Sequence, residues 1–96
     1  MSAYVISEVE ILDESAADRY RTLAAASIEE YGGQYLVRGA TPDAVEGEAS
    51  PGRRLVVVEF PDMDVARRWY ASESYARALA HRDQALTRRL LFVEGV

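Results

Sequence analysis

An α+β fold of element order β-α-β-β-α-β is predicted, with a four-stranded antiparallel sheet and helices on one face. Three observations carry that prediction. Apolar residues alternate with period two near both ends of the chain, as in half-buried strands. In two internal stretches they recur at three- and four-residue steps, as on amphipathic helices. The glycine pair of Tyr31-Gly-Gly-Gln34 and the turn Ser50-Pro-Gly52 punctuate the pattern where elements must change.

Taken in order, residues 3–12 form the first strand, with Val5, Ser7, Val9 and Ile11 toward the helices and Tyr4, Ile6, Glu8 and Glu10 away. Ser15 with Asp18 resembles a capping box, so the first helix is expected to begin there. Its inner face carries Ala17, Tyr20, Leu23, Ala24, Ser27, Ile28 and Tyr31. Gly32 suits the left-handed position that ends a helix, and Gly33 lets the chain turn back. The second strand spans residues 34–39, with Tyr35 and Val37 on one side and Gln34, Leu36 and Arg38 on the other. Residues 44–48 are expected to extend or pair at the sheet edge. The third strand, residues 53–60, contains the unbroken run Leu55-Val-Val-Val58, which fits a central position. Asp62 caps a helix bearing Met63, Ala66, Trp69 and Tyr70, and Ser72 caps a second piece running to about residue 84. Residues 87–96 form the last strand.

This order is the split βαβ, or ferredoxin-like, arrangement. Right-handed crossovers are expected to set the first and third strands side by side and parallel at the centre. One sheet face then lacks cover. It is expected to hold Tyr4, Ile6, Leu36, Leu55, Val57, Leu90 and Phe92, too much apolar surface for a monomer to leave open. A homodimer is predicted, its two sheets meeting through that face in a barrel-like sandwich.

Composition narrows the function classes. The 96 residues fit one domain, residues 1–96, and carry a formal net charge of −5. Scattered basic residues in an acidic chain argue against a nucleic-acid binder. With no cysteine, disulfides, thiolate nucleophiles and zinc–thiolate sites are excluded. The start lacks a secretory signal pattern, and no apolar run approaches the ~20 residues of a membrane span. A cytoplasmic protein is therefore expected.

Several segments carry a resemblance. They are Tyr4-Val-Ile6, Tyr31-Gly-Gly-Gln-Tyr-Leu-Val-Arg-Gly39, Val58-Glu-Phe-Pro61 with Ala66 and Trp69-Tyr70, Ser72-Glu-Ser-Tyr75, and Val93-Glu-Gly-Val96. Together they cover most of the chain, which resembles the family called domain of unknown function 1330. The resemblance implies a ferredoxin-like fold within the dimeric α/β barrel superfamily. That superfamily also holds small cofactor-free monooxygenases, isomerases and stress-induced proteins. It implies no particular reaction.

The candidate chemistry is sparse, and for each group a structural role outweighs the chemical one. His81, the only histidine, is a candidate general base against a plain surface residue. Arg38, expected on the dimer face, is a candidate clamp for a carboxylate or enolate against an interface ion pair. Glu8, Glu59 and Gln34 are expected at one end of the sheet, as coupled carboxylates or as a solvated rim. Trp69, Tyr70 and Tyr75, with Tyr20 and Tyr31, form either an aromatic ligand wall or ordinary core. The arginine pairs at 53–54, 67–68 and 88–89 read as solvated faces.

Two functional readings follow. One is a homodimer binding a small apolar or aromatic metabolite between helices and sheet. This reading extends to a cofactor-free enzyme of proton-abstraction or oxygenation type, with His81 as base, Arg38 as anion partner, and no metal or cofactor. The other is a non-catalytic dimer with a structural or stress-related role. A cavity beneath Trp69 and Tyr75, with a polar group reaching inside, separates the first from the second.

Overall fold

The computed structural model describes residues 1–96. The elements are β1 (Ala3–Ile11), α1 (Glu14–Glu30), β2 (Gln34–Ala40), β3 (Arg53–Phe60), α2 (Met63–Tyr70), α3 (Glu73–Ala85) and β4 (Leu86–Glu94). They build one four-stranded sheet in the order β2-β3-β1-β4, with the helices over one face. Every neighbouring pair is antiparallel, including β1 with β3. The expected parallel pairing of these two strands is thus corrected. The crossover through α1 returns β2 in the direction of β1, and the β2–β3 connection then reverses the chain. No helix is long and apolar enough to cross a membrane.

Helix ends follow local chemistry. Asp13, not Ser15, caps α1: its carboxylate accepts from the Ala16 amide at 3.2 Å. Both residues are good caps, but the amides of Leu12 and Asp13 bond the Ala85 carbonyl and hold the chain extended up to that point. At the other end Gly32 has φ +74°, and the amides of Gly32 and Gly33 bond the carbonyls of Glu29 and Ile28. That is a Schellman closure. Gly33 must also be small, because a Cβ there would stand 2.7 Å from Ile28 and 2.8 Å from the Phe60 ring. The break between α2 and α3 falls at Ser72, as expected. Its hydroxyl donates to the Trp69 carbonyl at 2.6 Å, and Ser72 Oγ accepts from the Tyr75 amide at 3.1 Å.

The strand faces differ from expectation in two places. Cross-strand partners share a face. Leu90 and Phe92 pair with Ser7 and Val5, so they face the helices; Leu91 and Val93 lie on the open face beside Ile6 and Tyr4. Both sets are apolar, so alternation alone left the direction open. In β2 the pairing shifts between Tyr35 and Val37, and again between Arg38 and Ala40. The extra residue inverts the side-chain parity beyond it. Val37 lies opposite Val57 on the open face, and Arg38 lies opposite Val56 on the helix face. Residues 44–48 form no strand.

The open face keeps Tyr4, Ile6, Leu55 and Val57 as expected, with Leu91 and Val93 replacing Leu90 and Phe92. Val93 is 44% exposed and Leu36 53%. Glu8 does not share an end with Glu59. It pairs with Leu55 and Arg89, whereas Glu59 pairs with Tyr4 and Gln34 at the opposite end. The Glu8 carboxylate accepts from Arg89 at 2.7 Å on the solvated side.

Candidate functional site

The helix-facing side of the sheet is laid out in cross-strand rows. One row runs Tyr35, Val58, Val5, Phe92; the next runs Arg38, Val56, Ser7, Leu90; the third runs Arg54, Val9, Arg88. Polar and cationic groups thus sit on a floor that is otherwise valine and leucine. Over it α1 presents Tyr20, Ala24 and Ile28. The small Ala24 leaves space beneath the helix, and a cavity of about 140 Å³ lies between α1 and the sheet. Trp69 forms part of its wall.

Behind that wall the aromatics pack tightly. The Trp69 and Tyr75 rings stand 4.1 Å apart between centroids, and Phe60 and Trp69 stand 5.2 Å apart. The indole N–H of Trp69 donates to Ser27 Oγ at 3.0 Å, and that hydroxyl donates to the Ala24 carbonyl at 2.7 Å. Trp69 is therefore held in one orientation by a polar anchor inside the core.

A second anchored group joins α1, α3 and β4. The Tyr20 and Tyr75 hydroxyl oxygens are 2.6 Å apart. Arg88 donates through Nη1 to Tyr20 at 2.6 Å and through Nη2 to Tyr75 at 2.7 Å. Burial, with Tyr20 adding to it, pushes the Tyr75 phenol well above its ordinary value, and Arg88 only partly opposes this. For Arg88, burial alone would lower the pKa, but the two phenols outweigh it and the guanidinium stays charged. Burial likewise raises the Tyr35 phenol, with Arg38 opposing. The Arg38 guanidinium lies over the Tyr35 ring, 4.3 Å from its centroid.

Ser7 stands apart from this network. It is 5% exposed, its side chain lines the cavity, and its Oγ has no hydrogen-bond partner in the protein. A buried hydroxyl left unpaired costs about 1–3 kcal/mol. Such groups are rare in native folds.

Of the residues singled out in the sequence, Tyr20, Trp69 and Arg38 come together at the cavity. Tyr75 stands one layer behind it, joined to it through Tyr20 and Arg88. Tyr31 packs against the core from the end of α1 and does not line the cavity. His81 lies half-buried on α3 and is not part of the cavity lining that contains Arg38. Arg38 is not on the open face: the bulge moves it to the helix side. Ser7, Tyr35, Arg54 and Arg88 were missed as site residues. A signal existed for two of them. Ser7 interrupts Val5, Val9 and Ile11, and Arg88 stands at the parity of Leu86 and Leu90, where a solvated residue does not belong. No three His, Cys, Asp or Glu side chains converge as metal ligands would.

The fold recurs in solved structures. RPA0582, a protein of unknown function from Rhodopseudomonas palustris, is 16% identical with a TM-score of 0.81, the match covering 99% of this chain and 82% of that one. A dimeric protein of unknown function and ferredoxin-like fold from Bacteroides fragilis is 11% identical with a TM-score of 0.65, covering 98% and 96%. SnoaB from Streptomyces nogalater, a cofactor-independent oxygenase, is 10% identical with a TM-score of 0.61, covering 99% and 93%. At such identities the likeness is one of fold. No curated protein matched. The family described as Domain of unknown function (DUF1330) matches residues 2–96, nearly the whole length, and the chain belongs to it.

Proposed function

We propose that this protein is a homodimer that binds a small apolar or aromatic metabolite in the cavity between α1 and the sheet. The observation that carries the reading is the Ser7 hydroxyl, buried and without a protein partner on the wall of a mostly apolar cavity. Apolar walls with a few convergent polar groups are the usual makeup of ligand sites. The open face, where Ile6, Val57, Leu91 and Val93 adjoin without cover from any helix, supports the dimer. The Bacteroides fragilis protein, described as dimeric, supports the same assembly.

Filling the cavity tests the reading. Val56 lies on the cavity floor, and Val56→Phe places a ring there. Single-ring probes such as phenol, toluene and benzoate should raise the unfolding temperature of the natural protein and leave the variant unmoved. If none of these probes binds the natural protein, the small-molecule reading fails and the non-catalytic, structural dimer takes its place.

The likeness to a cofactor-independent oxygenase favours a second reading, cofactor-free oxygenation or proton abstraction on the bound metabolite. Turnover of a captured ligand by the natural protein, compared with His81→Ala and Arg38→Ala, tests it. His81 stands outside the cavity lining, so unchanged turnover in His81→Ala would remove the histidine from the reaction.

A further inference from the structure

We propose that the cavity selects a small carboxylic acid, with an apolar body about the size of one ring inside and the carboxylate met by Arg38 and Arg54. The inference rests on the reading above that the cavity binds a small molecule, and adds its chemical class.

Charge is the first support. The lining contains four arginines, Arg21, Arg38, Arg54 and Arg88, and no aspartate or glutamate. The chain as a whole has a net charge of −5, so this local sign runs against the average. Arg21 is neutralised by Glu14 and Asp18 on its own helix, and Arg88 is engaged by the two phenols. Arg38 and Arg54 have no carboxylate within ion-pair distance. They lie on neighbouring strands at the β2 edge, one row apart, and the Ser7 hydroxyl lies in the Arg38 row. Guanidinium groups match a carboxylate in shape and donate charge-assisted hydrogen bonds to it.

Proton accounting at the tyrosine pair is the second support. Each phenol has one O–H to donate. Both oxygens accept from Arg88, and the pair shares one hydrogen bond. One O–H is therefore left without an acceptor. Tyr75 is 0% exposed, whereas Tyr20 is 8% exposed and lines the cavity. Leaving the orphan proton on Tyr75 would strand it in the core, so Tyr75 donates to Tyr20 and the Tyr20 O–H is left free to donate. The site then offers arginine and phenol donors, a serine hydroxyl and no anion. That is a set for an oxygen-rich, negatively charged head.

Size is the third. A cavity of about 140 Å³ is close to the ~150 Å³ that accepts a benzene ring in an engineered protein cavity. Val5, Val58, Ile28 and Trp69 supply apolar contact for such a body.

Calorimetric titration of the full chain with benzoate, its neutral isostere benzamide, and toluene tests the proposal. Benzoate should bind at least about tenfold more tightly than benzamide, the discrimination that one charge-assisted hydrogen bond supports. In the double variant Arg38→Gln, Arg54→Gln, the preference for benzoate over benzamide should disappear. Both arginines are exposed, so folding survives their replacement. If benzamide or toluene binds as well as benzoate, the anion inference is overturned and the cavity remains a small-molecule site. A benzoate preference that survives the double variant overturns the assignment to these arginines. If none of the three binds, the proposed function falls and this inference with it.

Discussion

The two faces of the sheet solve different problems with similar residues. On the open face Tyr4, Ile6, Leu55, Val57, Leu91 and Val93 form an apolar field, with Glu8 and Arg89 paired at its solvated margin. No buried polar side-chain atom is left unpaired there. On the helix face the apolar field is interrupted by Ser7, Arg38, Arg54 and Arg88, and one hydroxyl is left unpaired. The first pattern suits assembly, where area matters most. The second suits a ligand, where a few directed groups matter more than area. Buried polar groups in an otherwise apolar layer therefore separate a site from an interface more sharply than hydrophobicity does.

Three substitutions bear on this contrast. Val57→Asp, on the open face, should act most strongly. A charge placed between two sheets and left unpaired costs about 3–5 kcal/mol. Sedimentation should then show a 10.7 kDa particle, where the proposed dimer of the natural chain has twice that mass. A natural chain that already sediments as a monomer at low micromolar concentration would end the assembly half of the comparison.

Tyr75→Phe, on the helix side, should cost about 1–2 kcal/mol in denaturant titration, through the lost hydroxyl contacts to Tyr20 and Arg88. It should also change the response to alkali. The Tyr75 phenol is raised above its ordinary value of 10.0, so the folded state keeps that proton after the unfolded chain releases it. Its contribution is complete below pH 10.0 and declines as pH rises through the folded value. The loss of stability above pH 10.0 should be shallower in Tyr75→Phe; equal slopes would show that another group governs it.

Ser7→Ala should have the smallest effect and the most informative sign. Removing a buried, unsatisfied hydroxyl should raise stability by up to about 1 kcal/mol while weakening ligand binding. Lower stability with unchanged binding would mean that the hydroxyl is satisfied within the protein and that the helix face is simply core.

Much of the architecture was legible from short-range pattern. The Gly32-Gly33 closure, the Ser72 break and the span of β3 follow from chemistry contained within a few residues. The cap at Asp13 did not, because the competition with Ser15 was settled by the Ala85 carbonyl, more than 70 residues away. The aromatic stripe was visible, but its division was not: Trp69 and Tyr20 reach the cavity, while Tyr75 and Tyr31 do not. Helical spacing places residues on a face without saying which of them the sheet will touch. Arg38 was singled out on chemistry and assigned to the wrong face, since no residue in β2 announces the extra one that inverts its parity.

The order of elements, the sheet left half bare and the family were determined by the sequence alone, because alternation, helical spacing and turn residues act over one or two turns of chain. Only the tertiary structure decided that Arg88 would bridge two tyrosines from different helices, and that Ser7 would be buried without a partner. Those facts depend on strand register and on where α1 comes to rest, and both are set by contacts between residues far apart in the chain.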